Sequence, residues 1–323
     1  MSFCTAPLRF SSLIKPFQIL AQVRSPDGSM ITLHEHDGEH YIKHNGRQLM
    51  STIATVSELL LADLGCRQLK ATPKARVLIG GLGLGFTLKR VLEMVGKDAV
   101  VHVSELLPEI VQWNRELLKG VNGNLLKDPR VTVLVKDVFK VMRDSKNDRY
   151  DAILLDVDHT PSSWVQKDNR RLYERAGFSV VHRALNPGGL VAYWSAGDEP
   201  DFVYRMRGAG FFTQIYEAKA HTTAKRAAHR IYVGAPQPKV ERTEPVKPVK
   251  TAQGPASGAA QRSRPGGATR TAARRGDAVR AASHPFLSPR QIEGLARKER
   301  RKAEAKPAPK KTTPSVSKTE GAG

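Results

Sequence analysis

Cysteine is almost missing from this chain: two residues in 323, Cys4 and Cys66. They form no CxxC pair, which argues against a disulfide framework and a structural zinc site. The expected setting is reducing, and the expected location cytoplasmic. No apolar run approaches the ~20 residues that cross a bilayer, so no membrane span is expected. Acidic residues are also scarce. There are 31 Asp and Glu against 52 Lys and Arg, a net charge of +21. The deficit is uneven, because residues 236–323 hold 20 Lys/Arg against 7 Asp/Glu, a net +13. That stretch also holds hardly any large apolar side chains, so it cannot bury enough surface to offset its ordering entropy. A disordered basic tail is expected there, with one short helix beginning near Ser288 and Pro289. Such a tail attracts polyanions, so non-specific nucleic-acid contact is one reading and a solubilising extension the other. The first 26 residues contain no acid at all. Their composition suits a transit peptide, but the preferred reading is a short, loosely ordered leader.

Between these ends the chain is patterned. Residues 31–36 and 40–44 alternate as strands do. Asp37-Gly38 and Asn45-Gly46 are hairpin turn signals. A small β-meander is expected, followed by a helix over 55–64. Strand patterns recur at 75–79, 99–103, 131–135, 150–155 and 190–194, separated by helices at 86–95, 108–118 and 170–185. That alternation predicts βαβ units on a parallel sheet. Residues 211–216 and 229–233 lack a helix between them and predict an antiparallel hairpin at the sheet edge. The fold class expected is therefore α/β, Rossmann-like and doubly wound, with a mostly parallel seven-stranded sheet. The expected units are 1–70, a nucleotide-binding domain over 71–235, and the tail over 236–323.

The strongest chemical signal is Ile79-Gly80-Gly81-Leu82-Gly83-Leu84-Gly85, between a strand and a helix. Glycines there let the backbone turn sharply and approach a ligand. Glu105 ends the next strand about 20 residues later, where doubly wound nucleotide sites place a carboxylate on the ribose hydroxyls. Asp137 follows the third strand. It can accept from an adenine amino group, cap the next helix, or do both. Asp156-Val-Asp158-His-Thr-Pro161 follows the fourth strand, at the end of the sheet where such folds bind ligands. Asp156 and Asp158 form an anionic wall suited to a cationic substrate or a general base. Asp156, Asp158 and His159 are also of metal-ligating types, but the amine site ranks above a metal. Four nearby histidines raise the same question. The turn at Asp37-Gly38 splits them, His34 and His36 on one face and His40 and His44 on the other, so no shared metal is expected.

The order of glycine loop, Glu105, Asp137, Asp156 and Leu185-Asn-Pro-Gly-Gly189 resembles the class I S-adenosylmethionine-dependent methyltransferase fold. More narrowly, the meander, Asn45-Gly-Arg-Gln-Leu-Met-Ser-Thr52, Asp128-Pro-Arg-Val131 and Leu172-Tyr173 resemble the spermidine synthase (polyamine aminopropyltransferase) family over residues 28–235. That resemblance implies decarboxylated S-adenosylmethionine or S-adenosylmethionine as co-substrate, no metal, and a small amine as acceptor. It assigns Gly80, Gly81, Gly83, Gly85, Glu105 and Asp137 to the cofactor. Asp156 would orient and deprotonate the amine, with Asp158 or His159 assisting. A homodimer is a further expectation. The chain departs from the family where an acid usually stands in the glycine loop, here Leu82 and Leu84, and where the catalytic stretch is usually Asp-Ser-Ser-Asp-Pro. Three functions follow: a spermidine-synthase-like transferase, a methyltransferase, or a non-catalytic binding protein.

Overall fold

The computed structural model describes residues 16–145, 148–157, 160 and 167–237. The tail, Asp158, His159 and the helix expected near Ser288 lie outside the described residues.

The first sheet is an antiparallel meander in the order β1 (Gln18–Arg24), β2 (Met30–His36), β3 (Glu39–His44), β4 (Arg47–Ser51). Two of its three hairpins turn on the residues the sequence marks. Asp37 and Gly38 have φ of 51° and 83°, Asn45 and Gly46 of 48° and 80°. Positive φ at both central positions matches the right-handed twist of the flanking strands. The register sets His34 opposite Tyr41, and His44 and His40 on the face shared by Ile31, Leu33 and Ile42. One expectation is corrected here. β1 lies inside the segment read as a loose leader, and it pairs with β2 along its length. The missing acids that suggested a leader say nothing about backbone pairing. Ile19, Ala21 and Val23 alternate there in the strand manner.

α1 (Val56–Cys66) leads into the second sheet. The chain then runs β5 (Arg76–Gly80), α2 (Phe86–Met94), β6 (Val100–Glu105), α3 (Pro108–Glu116), the single turn α4 (Lys119–Asn122), β7 (Val131–Val135), α5 (Val138–Asp144) and β8 (Tyr150–Leu155). It continues through a 3₁₀ segment (Lys167–Tyr173), α6 (Arg175–Ala184), β9 (Leu185–Ser195), α7 (Pro200–Gly208), β10 (Phe211–Ala218) and β11 (His229–Pro236). The strand order is β10-β11-β9-β8-β5-β6-β7. β5 pairs in parallel with both β6 and β8, and β11 runs antiparallel to both of its neighbours. The chain moves outward from β5 to β7 and then returns to the other side of β5. This reversal opens a crevice beyond the carboxyl ends of β5 and β8, where open α/β sheets take ligands.

One layer of the core packs α5, α6 and α7 on β8, β9 and β11. Its centre is aromatic: Phe178, Tyr193, Phe202, Phe211 and Tyr232 are buried together. Two boundaries differ from the sequence pattern. The helix expected over 170–185 divides, because Glu174 takes an extended conformation (φ −112°, ψ 174°) between the 3₁₀ segment and α6. Asn186-Pro-Gly-Gly189 belongs to β9, with Leu185 paired to Tyr150. α7 was not foreseen. Its signals are Pro200 at the first turn and Phe202, Val203 and Met206 on one buried face.

Gly177 holds the division in place. A Cβ there would stand 2.3 Å from the Arg171 carbonyl oxygen and 2.6 Å from that of Leu172. Both are backbone atoms, so Gly177→Ala should cost about 1–3 kcal/mol by overpacking, despite alanine's better helix propensity. Thermal melts check this; a raised midpoint would contradict it.

Candidate active site

β5 ends in the glycine loop, and the loop is held from every side. Gly81 N donates to the Ser104 carbonyl at 2.9 Å, and Asp156 N donates to the Gly80 carbonyl at 3.0 Å. Gly81 has φ +91°, and a Cβ on it would stand 2.2 Å from the Asp156 carbonyl oxygen. Conformation and crowding thus both require glycine. Gly83 sits under Met50 of β4, and Gly85 (φ +86°) precedes α2 against Asn114 and Asn122. Asn114 Nδ2 donates to the Gly83 carbonyl at 2.8 Å, and Asn122 Nδ2 donates to that of Leu84.

Glu105 points at this turn from the end of β6. Its Oε2 accepts from Leu82 N and its Oε1 from Leu107 N, both at 3.0 Å. The carboxyl is buried, and burial raises its pKa. The backbone N–H groups of Leu107 and Leu82 work against that rise. The backbone N–H groups of Leu106 and Gly83 act on it in the same sense, and the side chain lines a cleft of about 140 Å³. Gly81, Gly83, Asp137 and Asp156 line the same cleft. Ile31, Ile42 and Met50 of the meander line it as well, so the N-terminal sheet supplies an apolar wall. Of the residues singled out from the sequence, Gly80 and Gly85 do not line it. A Cβ on Gly80 would press on Leu155 and Val138 at 2.9 Å, which makes it a packing glycine.

Asp137 caps α5: its Oδ1 accepts from Phe139 N at 2.7 Å and from Lys140 N at 3.3 Å. Its Oδ2 meets the Arg171 guanidinium, which lies over the Phe139 ring at 4.6 Å. Asp156 has a different environment. Burial, with the neighbouring Glu58 carboxylate second, pushes its pKa up to about 8. Glu58 lies buried in the first turn of α1, its pKa raised by the same desolvation, and accepts from Ser57 Oγ at 2.7 Å. The sequence reading missed Glu58 and Arg171. Glu58 carried a signal, since Leu61, Ala62 and Gly65 follow it at helical spacing and are all buried. Arg171 carried none, standing 34 residues from its partner. Among the described residues, no three His, Cys, Asp or Glu side chains are placed to hold a metal. No described helix is long and apolar enough to cross a membrane.

This strand order, with a glycine turn and a strand-end carboxylate facing one cleft, defines a Rossmann-like domain of the methyltransferase type. Residues 54–199 match the family model of the spermine/spermidine synthase domain, and over that span the chain is similar to that family. The polyamine aminopropyltransferase of Mycobacterium tuberculosis is 30% identical over 179 residues, 52% of this chain and 33% of that protein. Putrescine N-methyltransferase 2 of Nicotiana tabacum is 34% identical over 121 residues, 37% of this chain and 31% of that protein. The chain thus spans about a third of the length of these relatives. The spermidine synthase structure from Thermotoga maritima shares the fold with a TM-score of 0.52 at 19% identity, over 67% of this chain and 72% of that one.

The Asp156 carboxyl binds its proton more tightly folded than unfolded. Its contribution to stability is therefore complete below about pH 4 and lost as the pH rises through about 8. The melting midpoint should fall across that window, and Asp156→Asn should remove part of the fall. An equally steep fall in the variant would contradict this placement of Asp156.

Proposed function

We propose that the domain is a transferase that alkylates a small amine with an S-adenosyl co-substrate, decarboxylated S-adenosylmethionine in the first reading. The observation that carries this is Glu105. It is a buried acceptor clamped to the glycine turn by Leu82 N–H and facing the crevice at the switch point of the sheet. The groups that line the cleft suit an adenosine. Gly81 and Gly83 leave the loop surface free of side chains, Glu105 offers lone pairs to ribose hydroxyls, and Asp137 can accept from an adenine amino group while it caps α5. When bound, such a co-substrate supplies an electrophilic carbon beside its sulfonium sulfur.

The chain's own part is positioning and proton management. Asp156 lines the cleft and holds the amine in line with that carbon. With its pKa near 8 it is a stronger base than an ordinary carboxylate, and so better matched to an ammonium proton. Asp158 is proposed to assist it. Burial sets most of that basicity, and Glu58 adds to it because its negative charge disfavours ionisation of Asp156.

A second reading, methyl transfer from S-adenosylmethionine, is favoured by Leu82 and Leu84. Both are buried apolar residues in the loop, so the loop offers no acid to an aminopropyl ammonium. The N-methyltransferase similarity supports the same reading.

Calorimetric titration of the full chain with decarboxylated S-adenosylmethionine, S-adenosylmethionine and methylthioadenosine separates these outcomes. Binding of the decarboxylated form alone supports aminopropyl transfer. Equal or tighter binding of S-adenosylmethionine supports methyl transfer. No binding of any overturns the transferase reading in favour of a binding protein. With the preferred pair, kcat/KM should rise with pH through about 8, and Glu58→Gln should move that limb to lower pH. Asp156→Asn should abolish turnover with the fold retained; full turnover in it removes Asp156 from the mechanism.

A further inference from the structure

The Asp137 carboxylate is held at both oxygens before any ligand arrives. Oδ1 accepts from Phe139 N and Lys140 N, which fills its two lone pairs. Oδ2 accepts from Arg171 Nη2, so the lone pair left over is on the oxygen that Arg171 holds. Arg171 is itself held, because its guanidinium lies over the Phe139 ring at 4.6 Å. The contacts close a ring: Phe139 gives Asp137 its backbone N–H and gives Arg171 its aromatic face. Arg171 sits in the 3₁₀ segment Lys167–Tyr173, and Asn169 of that segment lines the same cleft as Asp137. Both side chains keep open surface, 17% for Asp137 and 34% for Arg171, so a ligand can reach the pair.

A carboxylate distinguishes purines only if its charge and its direction are fixed. Ionised, it accepts hydrogen bonds and donates none. It therefore accepts from the 6-amino group of adenine and repels the 6-oxygen of hypoxanthine. A carboxyl free to turn about its Cβ–Cγ bond, or to take up a proton, meets either. Here backbone donors fix one oxygen, and a planar, permanently charged guanidinium fixes the other. A base laid over Asp137 strips water from it, and the paired cation keeps it ionised against that loss.

We propose that Arg171 is a positioning residue for base selection: through Asp137 it makes the cleft prefer a 6-aminopurine nucleoside to a 6-oxopurine one. This role rests on the adenosine-type ligand proposed for the cleft, with its base at Asp137.

The test is calorimetric titration of the full chain with methylthioadenosine and with methylthioinosine, its 6-oxo counterpart. Wild type should prefer methylthioadenosine by about tenfold or more, the worth of a hydrogen bond to a charged acceptor. Arg171→Met keeps an unbranched apolar side chain over Phe139 and removes the guanidinium. It should cut that preference by about threefold or more, chiefly by weakening methylthioadenosine. Asp137→Asn keeps a helix cap, and in that background Arg171→Met should leave the preference unchanged. A purely structural role for Arg171 would weaken both nucleosides alike and preserve their ratio, which overturns the proposal. An equal change of ratio in the two backgrounds also overturns it, since Arg171 would then act on the base without Asp137. Equal binding of the two nucleosides by wild type removes Asp137 from base selection, and Arg171 with it. Binding of neither overturns the adenosine reading of the cleft as well.

Discussion

The pair of hydrogen bonds that Glu105 accepts from Leu82 N and Leu107 N fixes the geometry on which the site depends. The bond to Leu82 ties the end of β6 to the turn that follows β5. A buried carboxylate would be expensive without such partners; here two backbone dipoles are aimed at it before any ligand arrives. The same turn is pinned through Gly81 to Ser104 and lies against Asp156, so three adjacent strand ends are tied together. A loop held this way loses little entropy when it binds something, and that is where preorganisation raises affinity.

Glu105 and Asp156 stand at neighbouring strand ends, yet they are treated differently. Glu105 has N–H donors that favour its charged form. For Asp156, desolvation and the nearby Glu58 both favour the proton. Burial raises the pKa of both carboxyls; N–H donors oppose that rise at Glu105, and the Glu58 carboxylate adds to it at Asp156. The apolar wall from Ile31, Ile42 and Met50 lowers the local dielectric and strengthens both effects.

What could be read from the sequence was local. The hairpin turns at Asp37-Gly38 and Asn45-Gly46, the five parallel strands and the glycine turn each carry their cause within a few residues. So does the capping role of Asp137. Glu105 was readable because strand, turn and helix have nearly fixed lengths in a βαβ unit, which places the next strand end about 20 residues on. Long-range partners were not readable. Arg171 meets Asp137 across 34 residues of chain, where Gly177 also lets α6 pack against the backbone at Arg171 and Leu172. Glu58 becomes part of the site only because α1 packs across β8 and β9. β1 was misread because composition near a terminus was weighed above the alternation of Ile19, Ala21 and Val23.

The central claim is that Glu105 grips the sugar of an adenosine-type ligand, and ligand chemistry can test it without altering the protein. The affinity of the full chain for methylthioadenosine should be compared with that for its 2′,3′-dideoxy analogue. Hydrogen bonds to a charged acceptor are worth about 1.5–3 kcal/mol, so loss of the two hydroxyls should weaken binding by at least about tenfold. Equal affinity for the two compounds would contradict the account.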